Sequence, residues 1–70
     1  MARKQVVLRN FGDAVRRARE RAGKSQEQLA FDAELHRNYI GLVERGQANP
    51  SLWSIHQIAQ ALGIRVRTLV

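Results

Sequence analysis

The sequence predicts an all-α fold of four to five short helices, and three observations predict it. Apolar residues recur at three- and four-residue spacing in one segment after another, the period of helices that each bury one face. Ser, Asn, Gly and Pro punctuate those segments where helices begin and end. No stretch alternates apolar and polar residues long enough to make a strand, and there is neither an internal repeat nor a low-complexity tract. Seventy residues have room for one domain, residues 1–70, with a single small core.

The elements follow in order. Residues 1–8 mix charges with Val6, Val7 and Leu8 and read either as a flexible basic arm or as an early helical turn. Asn10 suits a helix N-cap, with Asp13 favourably placed in the positive first turn. Phe11, Val15, Ala18 and Ala22 then form one apolar stripe, and Asp13 with Arg17 and Arg16 with Glu20 are i,i+4 pairs. Gly23 closes this helix. Ser25 opens a second, running to about Ala33, with Gln28 at the position that can bond back to the Ser25 backbone. A third begins after His36 and stops at Gly46. Gly41 within it costs roughly 1 kcal/mol relative to alanine, which suggests a close approach to the second helix or to a ligand backbone. Ser51 caps a fourth helix whose inner stripe is Leu52, Ile55, Ile58, Ala59 and Leu62, ended by Gly63. Residues 64–70 resemble the start of a fifth element, with Ile64, Val66 and Leu69 apolar.

The segment Ser25–Gly46 carries the functional signal. Leu29 and Ala33, Leu35 in the turn, and Ile40 and Val43 place apolar groups only where two short helices must cross. Packed so, the pair leaves Arg37 and Asn38 at an outward helix end of the kind that enters a DNA major groove. Arg37 suits guanine O6 and N7, and Asn38 suits adenine N6 and N7. Leu42, one turn on, could meet a thymine methyl or simply cover the groove edge. The plainer reading of Arg37 is a solvated charge or a phosphate contact. Asn49 and Ser51 could clamp a phosphate with backbone help, and Lys24 and Arg45 offer further ionic contacts. Tyr39 is open between core packing and a hydroxyl on a phosphate.

Composition points the same way. Twelve Lys and Arg against six Asp and Glu give a net charge of +6, which favours polyanionic partners, nucleic acid before anionic membrane. There are no cysteines, so no disulfide or thiolate metal site exists and the cytoplasm is the default compartment. No apolar run approaches a membrane span, and no signal-peptide hydrophobic region follows the basic start. His36 and His56 stand apart from any plausible ligand set, and no Gly-rich phosphate loop occurs. An enzyme, a cofactor and a small-molecule ligand are therefore not expected.

From Phe11 to Leu69 the blocks VRRAR, SQEQLA, NYIGLVERG, NPSL and IAQALGI, in that order, resemble the phage-repressor-like (Xre) helix-turn-helix regulators. Within that group the chain is most similar to the controller proteins of restriction–modification systems. The resemblance implies a compact DNA-binding domain in which Gln26 bonds a phosphate and Arg19 pairs with Glu44 to tie two helices. It also implies a homodimer on double-stranded operator DNA, with Ile64, Val66 and Leu69 in the dimer surface, although closing the monomer core is the competing role of those three. Trp53 either covers the core edge or joins that surface. Three residues depart from the family pattern: Glu34 stands at the usual turn glycine, Lys24 replaces an apolar residue before the cap, and His36 replaces a short capping residue. The competing reading is an antitoxin-type module that binds a toxin and autoregulates its operon. Antitoxins of this fold generally carry an extra toxin-embracing segment, which is not seen here.

Overall fold

Helix α1, Lys4–Arg21, starts well before Asn10, in a computed structural model that describes residues 3–70. Met1 and Ala2 of the expected arm lie outside the described residues. Arg3 precedes the helix in extended conformation and makes no side-chain cap bond, so nothing in its chemistry announces the start. Asn10, expected as the N-cap, is an exposed residue in the body of α1. The inner face of α1 is Phe11, Gly12 and Val15, whereas Ala22 is its exposed C-cap. Gly23, at φ 71°, turns the chain, and its N–H and that of Lys24 return to the Glu20 and Arg19 carbonyls. The expected i,i+4 pairs are re-sorted. Arg16 reaches Asp13 at 3.4 Å, and Arg17 donates instead to the Asp13 carbonyl oxygen.

Helix α2, Gln26–Ala33, is capped by Ser25, whose Oγ accepts the Gln28 N–H at 3.0 Å. The reciprocal half of the expected box is absent, because the Gln28 amide donates to Asp32 Oδ1 at 2.8 Å. Glu34 ends α2 in the left-handed region, φ 58° and ψ 40°. That conformation costs a residue with a Cβ about 1–2 kcal/mol. The turn is thus made without glycine, by a glutamate in the conformation glycine would adopt without strain. Helix α3, Arg37–Glu44, follows His36, whose Nδ1 accepts the Asn38 N–H at 3.3 Å in place of a hydroxyl or carboxylate.

Helix α4, Leu52–Leu62, has its Ser51 cap closed on the Ser54 N–H at 3.1 Å and ends at Gly63, φ 69°. Ile58 and Ala59 are its buried residues, and Ile55 and Leu62 are half-buried. Leu52, expected in that stripe, is 74% exposed. Six residues before Ile58 lies about 240° around a helix, which takes Leu52 off the inner face. A short α5, Val66–Leu69, completes the chain.

The packing centres on Val15, Leu29, Ile40, Val43 and Ile58, each fully buried. Helix α3 packs on α1 and α2, while α4 packs on α2 and α5. Leu69 is 6% exposed and belongs to this core, at the point where α5 meets α1. The dimer-surface role expected for Leu69 therefore gives way to core closure. An apolar residue at the end of a short terminal helix is shielded best against Phe11, the large side chain on the facing helix.

Candidate nucleic-acid interface

The first link in the site is the contact that sets α3 against α1. A Cβ on Gly12 would overlap the Val43 carbonyl oxygen and stand 2.8 Å from that of Glu44, so α1 rests directly on the last turn of α3. Beside it, Glu44 is 8% exposed and its carboxylate is fully engaged. Arg19 donates from Nε to Oε2 at 2.7 Å and from Nη2 to Oε1 at 3.1 Å. Its remaining Nη1 donates to the Lys24 carbonyl at 2.9 Å. The hydrogen bond to Glu44 holds the Arg19 pKa above its ordinary value, outweighing partial burial. Gln26 Nε2 adds a 3.1 Å bond to Glu44 Oε1. One carboxylate thereby joins α1, the start of α2 and the end of α3, and offsets its unfavourable place at a helix C-terminus.

This tie fixes Gln26 as well as the helices. One N–H of the Gln26 amide is given to Glu44, which leaves the second N–H as a donor, and Gln26 Oε1 lies 3.8 Å from where a Gly41 Cβ would be. Between the start of α2 and the outer face of α3 lies a shallow cleft of about 300 Å³, lined by Gln26, Arg37, Asn38, Gly41, Leu42 and Arg45. Arg37, Asn38 and Arg45 are exposed, and Leu42 is 37% exposed. The ion pairs among the described residues are Asp13–Arg16, Arg19–Glu44 and Lys24–Asp32, so neither Arg37 nor Arg45 is neutralised by a carboxylate. The Arg37 and Arg45 guanidiniums, the Asn38 carboxamide and Leu42 on the α3 side, with Gln26 facing them from α2, form a surface of donors and acceptors suited to base edges.

The other expected contact residues are placed less uniformly. Asn49 and Ser51 are exposed at the loop before α4, with Ser51 Oγ already used as the cap. Tyr39 is half-buried against the core. Lys24 is diverted from any phosphate: its ammonium donates to Asp32 Oδ2 and to the Ala61 carbonyl oxygen, each at 2.7 Å. A cation near an unsatisfied helix-end carbonyl and a carboxylate is better held there than in solvent. In effect Lys24 replaces the missing apolar staple with an ionic one, from α2 to α4. The hydrogen bond from Lys24, then that from Gln28, holds the Asp32 carboxyl below its ordinary pKa.

Gly41 does not mark a close helix crossing; its open side is taken by the Arg45 guanidinium. Val66 and Ile64 are half-buried. Val66 instead lines an apolar groove of about 610 Å³ with Leu52, Trp53 and His56. Trp53 is 66% exposed and its ring is tilted on that of His56, centroids 5.6 Å apart. The sequence reading missed the role of Gly12, the exposure of Leu52 and the 80% exposure of Phe31 on α2. Phe31 was detectable, being two residues from both Leu29 and Ala33 and so off their shared face. Among the described residues no cluster of three metal-ligating side chains occurs, and no helix is long and apolar enough to cross a membrane.

A family model described as a helix-turn-helix domain matches residues 10–69. The control protein C.BamHI of Bacillus amyloliquefaciens is 46% identical over 61 residues, covering 86% of this chain and 75% of that protein. The control protein C.SmaI of Serratia marcescens is 40% identical over 67 residues, 96% of this chain and 75% of that one. The crystal structure of the restriction–modification controller protein C.AhdI from Aeromonas hydrophila superposes with a TM-score of 0.89 at 49% identity, over 90% of this chain and 96% of that one.

Proposed function

The chain belongs to the helix-turn-helix family of DNA-binding transcriptional regulators, with controller proteins among its relatives, and from that premise we propose that it binds a pseudo-palindromic operator as a homodimer and controls restriction–modification gene expression. The observation that carries this reading is the cleft face of α3: two guanidiniums and a carboxamide stand outward from a helix locked by Glu44. Phosphates supply affinity and register, and base edges supply discrimination. Arg37 and Asn38 read bases from the first turn of α3, and Leu42 covers the groove edge. Gln26, Tyr39, Asn49 and the N-terminal N–H groups of α4 at Ser51 hold phosphates along the groove walls. A pair of such modules related by a twofold axis presents its reading helices about 34 Å apart, one helical turn of DNA. The site of action is the bacterial cytoplasm, where that DNA lies.

Titration of the operator against an unrelated duplex tests this. Arg37→Ala is expected to cost on the order of 1–3 kcal/mol on the operator and to relax preference at one base position. Gln26→Ala should weaken both duplexes alike. Unchanged operator affinity in both variants would remove the docking arrangement. The wild-type constant should also fall steeply with salt, as each phosphate-neutralising cation releases condensed counterions.

A further inference from the structure

We propose that Arg45 is a second base-reading side chain, rather than the phosphate contact suggested by its place after the last turn of α3; this rests on the docking proposed above. The Arg45 N–H still bonds to the Gly41 carbonyl oxygen, so the residue continues the helical register. Measured from Arg37, Gly41 lies about 40° around the helix, Arg45 about 80°, Asn38 about 100° and Leu42 about 140°. Around the helix axis Arg45 therefore falls within the sector of the reading face, at its C-terminal end.

Its side chain leans toward the helix N-terminus, as long side chains on helices do. Nη1 comes within 3.2 Å of where a Cβ on Gly41 would stand. The missing side chain at Gly41 makes the notch that admits the guanidinium to the cleft shared with Gln26, Arg37, Asn38 and Leu42. Only Nε is engaged, in a long 3.4 Å bond to Gln47 Oε1. The adjacent carboxylate of Glu44 is turned inward and occupied by Arg19 and Gln26. The two Nη groups are left as a fork directed along the helix, the donor geometry that guanine O6 and N7 accept. A phosphate contact would instead carry the side chain sideways to a groove wall. Paired with Arg37, Arg45 gives each half-site two guanidinium-read positions.

The experiment uses the intact chain and an operator selected by the wild type from a random duplex library. Affinities are then measured on every single-base-pair variant of that operator for the wild type, Arg37→Ala, Arg45→Ala and Arg45→Lys. Arg45→Ala is expected to lose roughly 5- to 150-fold on the operator and to lose discrimination at one position per half-site, different from the position relaxed by Arg37→Ala. Arg45→Lys, which keeps the charge but not the fork, should restore the salt dependence and leave that same position relaxed. If Arg45→Ala weakens every duplex by one factor with discrimination intact, or Arg45→Lys behaves as wild type, Arg45 holds a phosphate and the proposal is wrong. If Arg37→Ala also leaves every position discriminated, or the wild type selects no sequence, the docking itself fails with it.

Discussion

Individual side chains here solve local problems by means the usual residue would not need. Glu34 holds the turn of the helix-turn-helix at φ 58°, where a Cβ is crowded by its own backbone. Glu34→Gly should therefore raise stability by up to about 1 kcal/mol, the relieved strain being partly offset by glycine's greater freedom when unfolded. Urea unfolding reads this as a higher midpoint at constant slope, and a lower midpoint would show that the Glu34 side chain makes a contribution larger than the strain. Lys24 and Asp32 make the ionic staple between α2 and α4. Because Asp32 has a lowered pKa in the folded state, its contribution is present above the ordinary carboxylate value of 3.8 and is lost as pH falls below it. The stability difference between wild type and Asp32→Asn should be flat above about pH 5 and shrink toward pH 3. A difference that stayed constant through that window would mean the carboxylate is not held by Lys24. The staple itself was not legible in the sequence, since Lys24 and Ala61 meet only after α4 has folded over α2.

At the level of the helices, legibility tracked the chemistry of the ends. Helices α2 and α4 announce themselves through Ser25 and Ser51, and Gly23, Gly46 and Gly63 mark chain reversals with positive φ. The start of α1 was not legible, because Arg3 uses no side-chain cap and the signal that does exist, Asn10, is spent inside the helix. The apolar contact of α2 with α3 was legible from spacing, but the polar tie between helices only through the family pattern, which paired Arg19 with Glu44. The structure adds Gln26 as a third partner, so the same residue that faces the cleft also helps hold α3. Removing Glu44 leaves Arg19 with a desolvation cost and no counterion. Glu44→Ala is expected to destabilise by about 3–5 kcal/mol, close to the limit a domain of this size tolerates. Combining it with Arg19→Ala should cost less than the two single changes together, a non-additivity measured by thermal unfolding of all four proteins. Strict additivity would show the two groups to be independent despite their 2.7 Å contact.

For the molecule as a whole, the surface was harder to read than the core. Whether an apolar residue on a scaffold of five short helices faces inward depends on a rotation of a few tens of degrees, and the sequence put Leu52 inside and favoured a surface for Leu69 over core closure. The structure reverses both. Leu52 and Trp53 emerge together at 74% and 66% exposure, beside Val66 and His56, on α4 and α5 rather than on the reading helix α3. An apolar patch of that kind costs free energy in water, and a twofold axis through it would bury it against its own copy without obstructing α3. Trp53 is the one tryptophan of the chain, so it reports on that surface directly. If the proposed homodimer forms through this patch, dilution of the wild type should shift its emission to longer wavelength, and Leu52→Glu should give the long-wavelength spectrum and a monomer in sedimentation where the wild type sediments as a dimer. Leu69→Ala should behave differently, lowering unfolding stability by about 2–5 kcal/mol through loss of core packing. Operator occupancy should follow the dimer, so Leu52→Glu would bind operator far more weakly than wild type while keeping its fold. A Trp53 spectrum independent of concentration, in a protein that sediments as one species with and without Leu52→Glu, would show that this patch is not a subunit contact.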